Sequence, residues 1–261
     1  MKGKAFFRDI YRALPVMSLL SAVRWALLNR GYGGQLVAIR LRNYGHQRVF
    51  LRKNGSDRYT FTEIFEQQVY AEVANRLQTC STMLDLGANI GLASLYFLAR
   101  FPELKIVAIE ANPATFAVLE QNLKEYVASG RARIVQGAVW ERDGFVVGDD
   151  HGKSRHYSAF AVKELEAGTG PQARIYAYSM ASIMQLSGFE ICDLVKMDIE
   201  GAEVQCFDSE TDWLRRTNCV AVEFHRGSRE ATRFDSLVKQ YGMTIVGVSP
   251  HTVIARRMNQ D

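Results

Sequence analysis

The chain lacks a C-x-x-C pair. Its four cysteines, Cys80, Cys192, Cys206 and Cys219, are scattered, and three of them fall in apolar runs. That spacing excludes a zinc finger or ribbon and gives no disulfide framework. Buried, reduced thiols are expected instead, as in a cytoplasmic protein. No apolar run is long enough to span a bilayer: the one from Pro15 to Val23 is interrupted by Arg24, with no clean cleavage site of a secretory leader after it. Internal repeats, low-complexity stretches and blocks of like charge are also missing. The net charge of +4 is too mild a bias to imply nucleic acid as a partner.

Apolar residues make up 48% of the 261 residues, enough for a full core, and the charged share of 23% is ordinary for a globular chain. The first 28 residues carry Lys2, Lys4, Arg8 and Arg12, and Phe6, Phe7, Ile10, Tyr11 and Leu14 recur at helical spacing. Two short amphipathic helices broken near Pro15 are expected, packed on the body of the protein or on a partner. A weak peripheral membrane contact is the alternative use of a basic amphipathic segment. After the glycines at 31–34 come two strand-like runs, 36–42 and 48–52. Asn54-Gly55 then reads as a hairpin turn with 59–62 as its return strand, and 63–77 has helical periodicity.

From residue 82 strands and helices alternate. Strands are expected at 82–86, 105–109, 133–139, 195–199 and 220–224, with helices at 92–100 and 114–126, and a closing hairpin at 244–248 and 252–255. Alternation of this kind implies an α/β fold with a mostly parallel sheet, here with an antiparallel C-terminal edge. The organisation expected is a helical extension and β-hairpin over 1–69, then one catalytic domain over 70–261. A polar insertion at about 144–170 would lie near the site entrance. Within it, residues 148–154 imitate a phosphate loop but have three residues between the glycines where four are needed.

The segment Met83-Leu-Asp-Leu-Gly-Ala-Asn-Ile-Gly91 is strand, glycine turn, helix. Ligands of open α/β sheets bind at the carboxyl ends of strands, where this turn falls. Gly87 permits the tight turn and Gly91 the close packing of the following helix. The remaining glycines of a dinucleotide fingerprint are absent, and Asp85 would repel a pyrophosphate. S-adenosyl-L-methionine has no phosphate, and its sulfonium and ammonium suit an acidic residue. Asp85, Gly87, Ala88, Asn89 and Gly91 are therefore expected to bind this donor. Glu110 and Ala111 end the next strand, where a carboxylate can accept both ribose hydroxyls. Gln136 and Ala138, at the tip of the third strand, are candidates for the adenine.

In Lys196-Met-Asp-Ile-Glu-Gly-Ala-Glu203 the strand period puts Lys196 and Asp198 on one face. Such a pair in an apolar strand is either a carboxylate base tuned by Lys196 or a structural ion pair. Asp198, Lys196, Glu200 and His225 form the candidate catalytic set, with Asp198 also near the donor. Glu223 and His225 share a face by the same parity. No metal is expected, although Asp198, Glu200 and Glu223 would make an oxygen-ligand set for magnesium.

These residues resemble the FkbM family of methyltransferases. The likeness rests on Ser56-Asp57, Phe65 and Tyr70, and on Leu84-Asp-Leu-Gly-Ala-Asn-Ile-Gly91 and Ile109-Glu-Ala-Asn-Pro113. It continues through Lys196-Met-Asp-Ile-Glu-Gly-Ala-Glu203 and Glu223-Phe-His225, and runs from about residue 48 to about 229. The resemblance implies a Rossmann-like class I methyltransferase fold and methyl transfer to oxygen, often on a sugar or polyketide hydroxyl. It also implies that the 87–91 turn and Glu110 bind the donor while Asp198 lies at the active site. Residues 1–47 and 144–170 fall outside it and are where acceptor choice would reside. The expected substrate is a small molecule or glycan. Competing readings are a methyltransferase acting on a protein or nucleic-acid nitrogen, a NAD-dependent oxidoreductase, and a non-catalytic binding module. The Asn/Asp-Pro-Pro-Tyr turn common in amino methyltransferases is absent after the fourth strand.

Overall fold

The computed structural model describes residues 2–45, 47–53, 55–149, 161–164, 174–208, 210–249 and 252–258. The chain opens with helices α1 (Lys2–Ala13) and α2 (Leu19–Leu28), then a hairpin of β1 (Leu36–Arg40) and β2 (Arg48–Arg52). Next come α3 (Asp57–Phe61), one π-helical turn (Thr62–Glu66) and α4 (Ala71–Leu77). The alternating part runs β3 (Thr82–Leu86), α5 (Leu92–Arg100), β4 (Lys105–Glu110), α6 (Pro113–Ala128) and β5 (Ala132–Gln136). Strands β6 (Ala138–Val139), β7 (Gly144–Asp149), β8 (Ala161–Glu164) and β9 (Arg174–Tyr178) follow, then α7 (Met180–Ser187), β10 (Leu194–Met197) and α8 (Glu203–Asp208). The chain ends with β11 (Cys219–Val222), α9 (Ser228–Ala231), α10 (Phe234–Gln240), β12 (Met243–Val248) and β13 (Val253–Arg257).

Seven strands form the central sheet in the order β12-β13-β11-β10-β3-β4-β5. β11, β10, β3, β4 and β5 are parallel, and the β12–β13 hairpin adds the antiparallel edge. This is the Rossmann-like α/β arrangement expected from the alternation. Strand parity sorts the core into two layers. Met83, Ile106, Ala108, Leu194 and Ala221 face one layer, shared with α5, α6 and the N-terminal segment through Met17, Ile39, Leu51 and Phe65. Leu84, Leu86, Val107, Ile109, Val195 and Met197 face the other, shared with Ile183, Phe207 and Phe234. The N-terminal helices and hairpin thus close over one face of the sheet. All four cysteines are free and buried, and burial pushes each thiol pKa up.

Several expectations fail locally. Residues 57–61 form a helix rather than a return strand, because β2 already pairs with β1 and Asp57 is turned inward to chelate Arg52 at 2.7 Å. The 63–77 helix is divided by a break in which Gln68 takes φ +55°. The third strand ends at Gln136, and 138–139 joins a separate four-stranded sheet, β6-β9-β7-β8, that contains the described part of the insertion. The loop imitating a phosphate loop lies mostly outside the described residues. Among the described residues no helix is long and apolar enough to cross a membrane.

Candidate functional site

The carboxyl ends of β3, β4 and β10 meet over a cavity of about 470 Å3. The β3–α5 turn forms one wall through Gly87, Ala88 and Asn89. Gly87 has φ +72°, and a Cβ there would lie 1.8 Å from the carbonyl oxygen of Asp198, so only glycine lets the two strand ends touch. Gly91, at φ +83°, sits behind the wall. A Cβ on it would meet Leu119 of α6 at 2.7 Å, which is the close packing expected of it.

Glu110 lines the cavity and is 8% exposed. Its two carboxylate oxygens accept the backbone N–H groups of Asn89 at 2.9 Å and Asn112 at 2.8 Å. Burial raises its pKa to about 7, with those two amides pulling the other way. Ala111, Gly137, Ala138 and Val139 continue the lining. Gln136 does not take part. It is exposed and absent from the cavity lining, where Gly137, Ala138 and Val139 follow the end of the third strand.

Asp85 is also displaced from its expected role. It is fully buried, does not line the cavity, and stands directly opposite Lys196 in the parallel β3–β10 register. Lys196 Nζ lies 3.2 Å from Asp85, donates to the Gly87 carbonyl at 2.8 Å, and is 3.7 Å from Asp198. Ser94 of α5 donates to the other Asp85 oxygen at 2.6 Å. The neighbours of this pair in the same row are Ala108 and Ala221, whose small side chains leave room for it beneath the helix. Burial disfavours the ammonium, but Asp85, Tyr70 and Asp198 outweigh it and hold the Lys196 pKa above its ordinary value. Lys196 is therefore a charged latch between β10 and the glycine turn.

Asp198, Glu200 and Glu223 line the cavity together, all just past the ends of their strands. Glu200 adopts φ +54°, an uncommon backbone state for a residue with a side chain, which marks the turn as held by its surroundings. Burial and the nearby Asp198 raise both Glu200 and Glu223 to about 7. His225 sits behind this group. Its Nδ1 is 2.9 Å from the fully buried Glu203, and its Nε2 is 3.8 Å from Asp198 and 3.6 Å from Glu200. The bond to Glu203 raises the His225 pKa to about 9 against burial, so the ring is an imidazolium at neutral pH. Ligand atoms of Asp198, Glu200 and His225 lie within 4.8 Å of one another, close enough for a divalent cation. Glu223 is not part of that group.

Tyr59, Glu63 and Thr252 line the cavity without a signal in the local motifs, whereas Tyr70, also in the lining, belongs to the resemblance. They come from the segment before the sheet and from the last hairpin, and only the tertiary fold brings them to the strand ends.

The family profile described as the methyltransferase FkbM domain matches residues 85–243, which contain the glycine turn, Glu110 and the Asp198–Glu223 group of this cavity. The chain belongs to the FkbM methyltransferase family. It is 25% identical over 247 residues to the 31-O-demethyl-FK506 methyltransferase FkbM of Streptomyces tacrolimicus, a match covering 78% of this chain and 91% of that one. A shorter match, 39% identical over 82 residues, is to the AMB antimetabolite synthetase AmbE of Pseudomonas aeruginosa. It covers 31% of this chain and 4% of that much longer protein. Among solved structures, the methyltransferase FkbM of Methylobacillus flagellatus KT aligns with a TM-score of 0.47 and 14% identity. The alignment covers 68% of this chain and 43% of that one. Membership in a methyltransferase family sets aside the NAD-dependent oxidoreductase reading of the glycine turn.

Proposed function

We propose that this FkbM-family methyltransferase uses S-adenosyl-L-methionine to methylate a hydroxyl of a small molecule or glycan. The observation that carries the reading is that one cavity is lined both by the Gly87–Asn89 turn with Glu110 and by Asp198. The donor supplies a methyl group made electrophilic by a sulfonium. The residues fit it: a buried carboxylate for ribose hydroxyls, a turn without the glycines a pyrophosphate needs, and an acidic surround for a cation. The relative from Streptomyces is named for methylation at an oxygen, which supports the same acceptor chemistry here.

Each residue has a distinct task in this proposal. Glu110 accepts from the ribose hydroxyls and fixes the donor. Lys196 holds the Gly87 carbonyl and Asp198 in place. Asp198 takes the proton of the acceptor hydroxyl as the oxygen–carbon bond forms and the carbon–sulfur bond breaks in line. His225, protonated and held by Glu203, is unsuited to be the base. It instead supplies positive charge to Asp198 and Glu200. That charge fills the role a divalent cation would have among these carboxylates, so the reaction is proposed to need no metal.

Asp198→Asn keeps the shape and removes the base. Saturated turnover should fall by about 10²–10⁴ with donor Kd little changed. Calorimetry with the donor, followed by turnover on an acceptor, checks this. Loss of donor binding with full turnover at saturation would make Asp198 a donor ligand. A second measurement addresses the metal: turnover should survive exhaustive chelation. Complete loss that added magnesium restores would assign Asp198, Glu200 and His225 to a cation instead.

A further inference from the structure

The N-terminal segment carries a charge imbalance that the rest of the chain reverses. Residues 1–53 contain eleven Lys and Arg against one carboxylate, a net +10, whereas residues 54–261 sum to −6. Apart from Arg52-Lys53 no two of the basic residues are adjacent, so no long run of like charge betrays them. The one acid, Asp9, is paired with Arg30 at 2.9 Å, and the next along the chain, Asp57, with Arg52.

Three of the remaining arginines surround one concavity. Arg40 and Arg48 are directly opposite each other in the β1–β2 register, and both are exposed. Like charges in that relation repel and weaken a hairpin. Arg24 of α2 points to the same place, with Nη1 3.5 Å from the carbonyl of Ala38. Together with Ser18 and Ser21 they wall a cavity of about 540 Å3 between α2 and the hairpin, and among the described residues no carboxylate lines it. A bound anion would relieve the repulsion that the register builds in.

The rim shows which anion fits. Leu20 lines this cavity, and Leu19 and Leu20 are 61% and 62% exposed. On α1 the outward face repeats Lys4, Phe7, Arg8, Tyr11 and Arg12, with Phe7 and Tyr11 more than two-thirds exposed, while Ala13 is buried and Ile10 packs against the core. The inner face of α1 is thus satisfied, and the outer aromatics are not part of the fold's own core. A free phosphate needs no leucines beside its site. A lipid headgroup does, because its acyl chains continue from the phosphate into an apolar layer. We propose that Arg24, Arg40 and Arg48 form a cradle for the phosphate of an anionic phospholipid, with Leu19 and Leu20 entering the membrane interface beside it.

The test is co-sedimentation of the full chain with vesicles of phosphatidylcholine alone and of phosphatidylcholine mixed with phosphatidylglycerol. Binding is expected only to the mixed vesicles and should weaken as salt rises. The double variant Arg40→Ala/Arg48→Ala should bind them about 30-fold more weakly, the scale for two basic residues at an anionic surface. Leu19→Ser/Leu20→Ser should also lose affinity, although it retains every charge. Donor binding by calorimetry should be unchanged in both variants, which shows that they fold. The proposal is overturned by absence of binding to the mixed vesicles, by equal binding to both kinds, or by full binding in the double arginine variant. Tighter binding of a single-stranded RNA homopolymer than of the mixed vesicles would make nucleic acid the occupant and overturn it equally.

Discussion

In the proposed reading, Glu110 combines a structural duty with a ligand-binding one. Its oxygens hold the amides of Asn89 and Asn112, and each retains a lone pair for a ribose hydroxyl. Because burial raises its pKa to about 7, a share of the protein carries the neutral acid at neutral pH. Hydroxyl donors favour the ionised form. Donor Kd should therefore fall as pH rises, up to about tenfold per unit below 7, and level off above it. Glu110→Gln should flatten that dependence and weaken binding at least tenfold above pH 7, on the scale of one charge-assisted bond. Calorimetric titrations across pH 6 to 8.5 check both. The position of Glu110 was legible in the sequence, since a strand end about 20 residues past a glycine turn defines it. Gln136 shows the limit of that logic. Nothing local says which residue at a strand tip reaches the cavity, and here the strand ends one residue before the lining begins.

At the level of the element, the strand period correctly paired Lys196 with Asp198, yet the stronger partner lies across the sheet. Asp85 precedes the glycine turn, which by sequence alone is the place of a donor ligand. Parallel register, which the sequence does not state, puts it opposite Lys196 beneath α5 instead. Lys196→Met should leave Asp85 as an uncompensated buried charge and destabilise the fold by about 3–5 kcal/mol. Adding Asp85→Asn should recover part of that loss, since the two sites are in contact and their effects do not add. Urea denaturation of the single and double variants measures the coupling; strictly additive losses would show that the pair is not a unit. The misread return strand at 59–62 has a similar origin. Asn54-Gly55 is a fair turn signal, but β2 had its partner upstream, and the inward turn of Asp57 onto Arg52 favours a helix there.

For the whole molecule, the order of elements was readable because the apolar strands are short, regularly spaced and separated by helices with clear ends. The sharing of one core layer by the N-terminal segment and α5 was not, since it depends on surfaces meeting across the chain. That arrangement gives the protein a built-in reporter. All four thiols belong to the sheet region, none lies before residue 80, and all are buried with raised pKa values. Trp25, by contrast, is buried in α2. A disulfide-exchange reagent should leave the native protein unlabelled and react only as fast as the sheet opens. If α1 and α2 peel away on their own, Trp25 fluorescence, read in a variant with Trp140 and Trp213 replaced by Phe, should change well before any sulfur becomes reactive. Simultaneous change would mean that helices and sheet open as one cooperative unit, so the timing of two optical signals would measure how firmly the basic segment is fastened to the catalytic body.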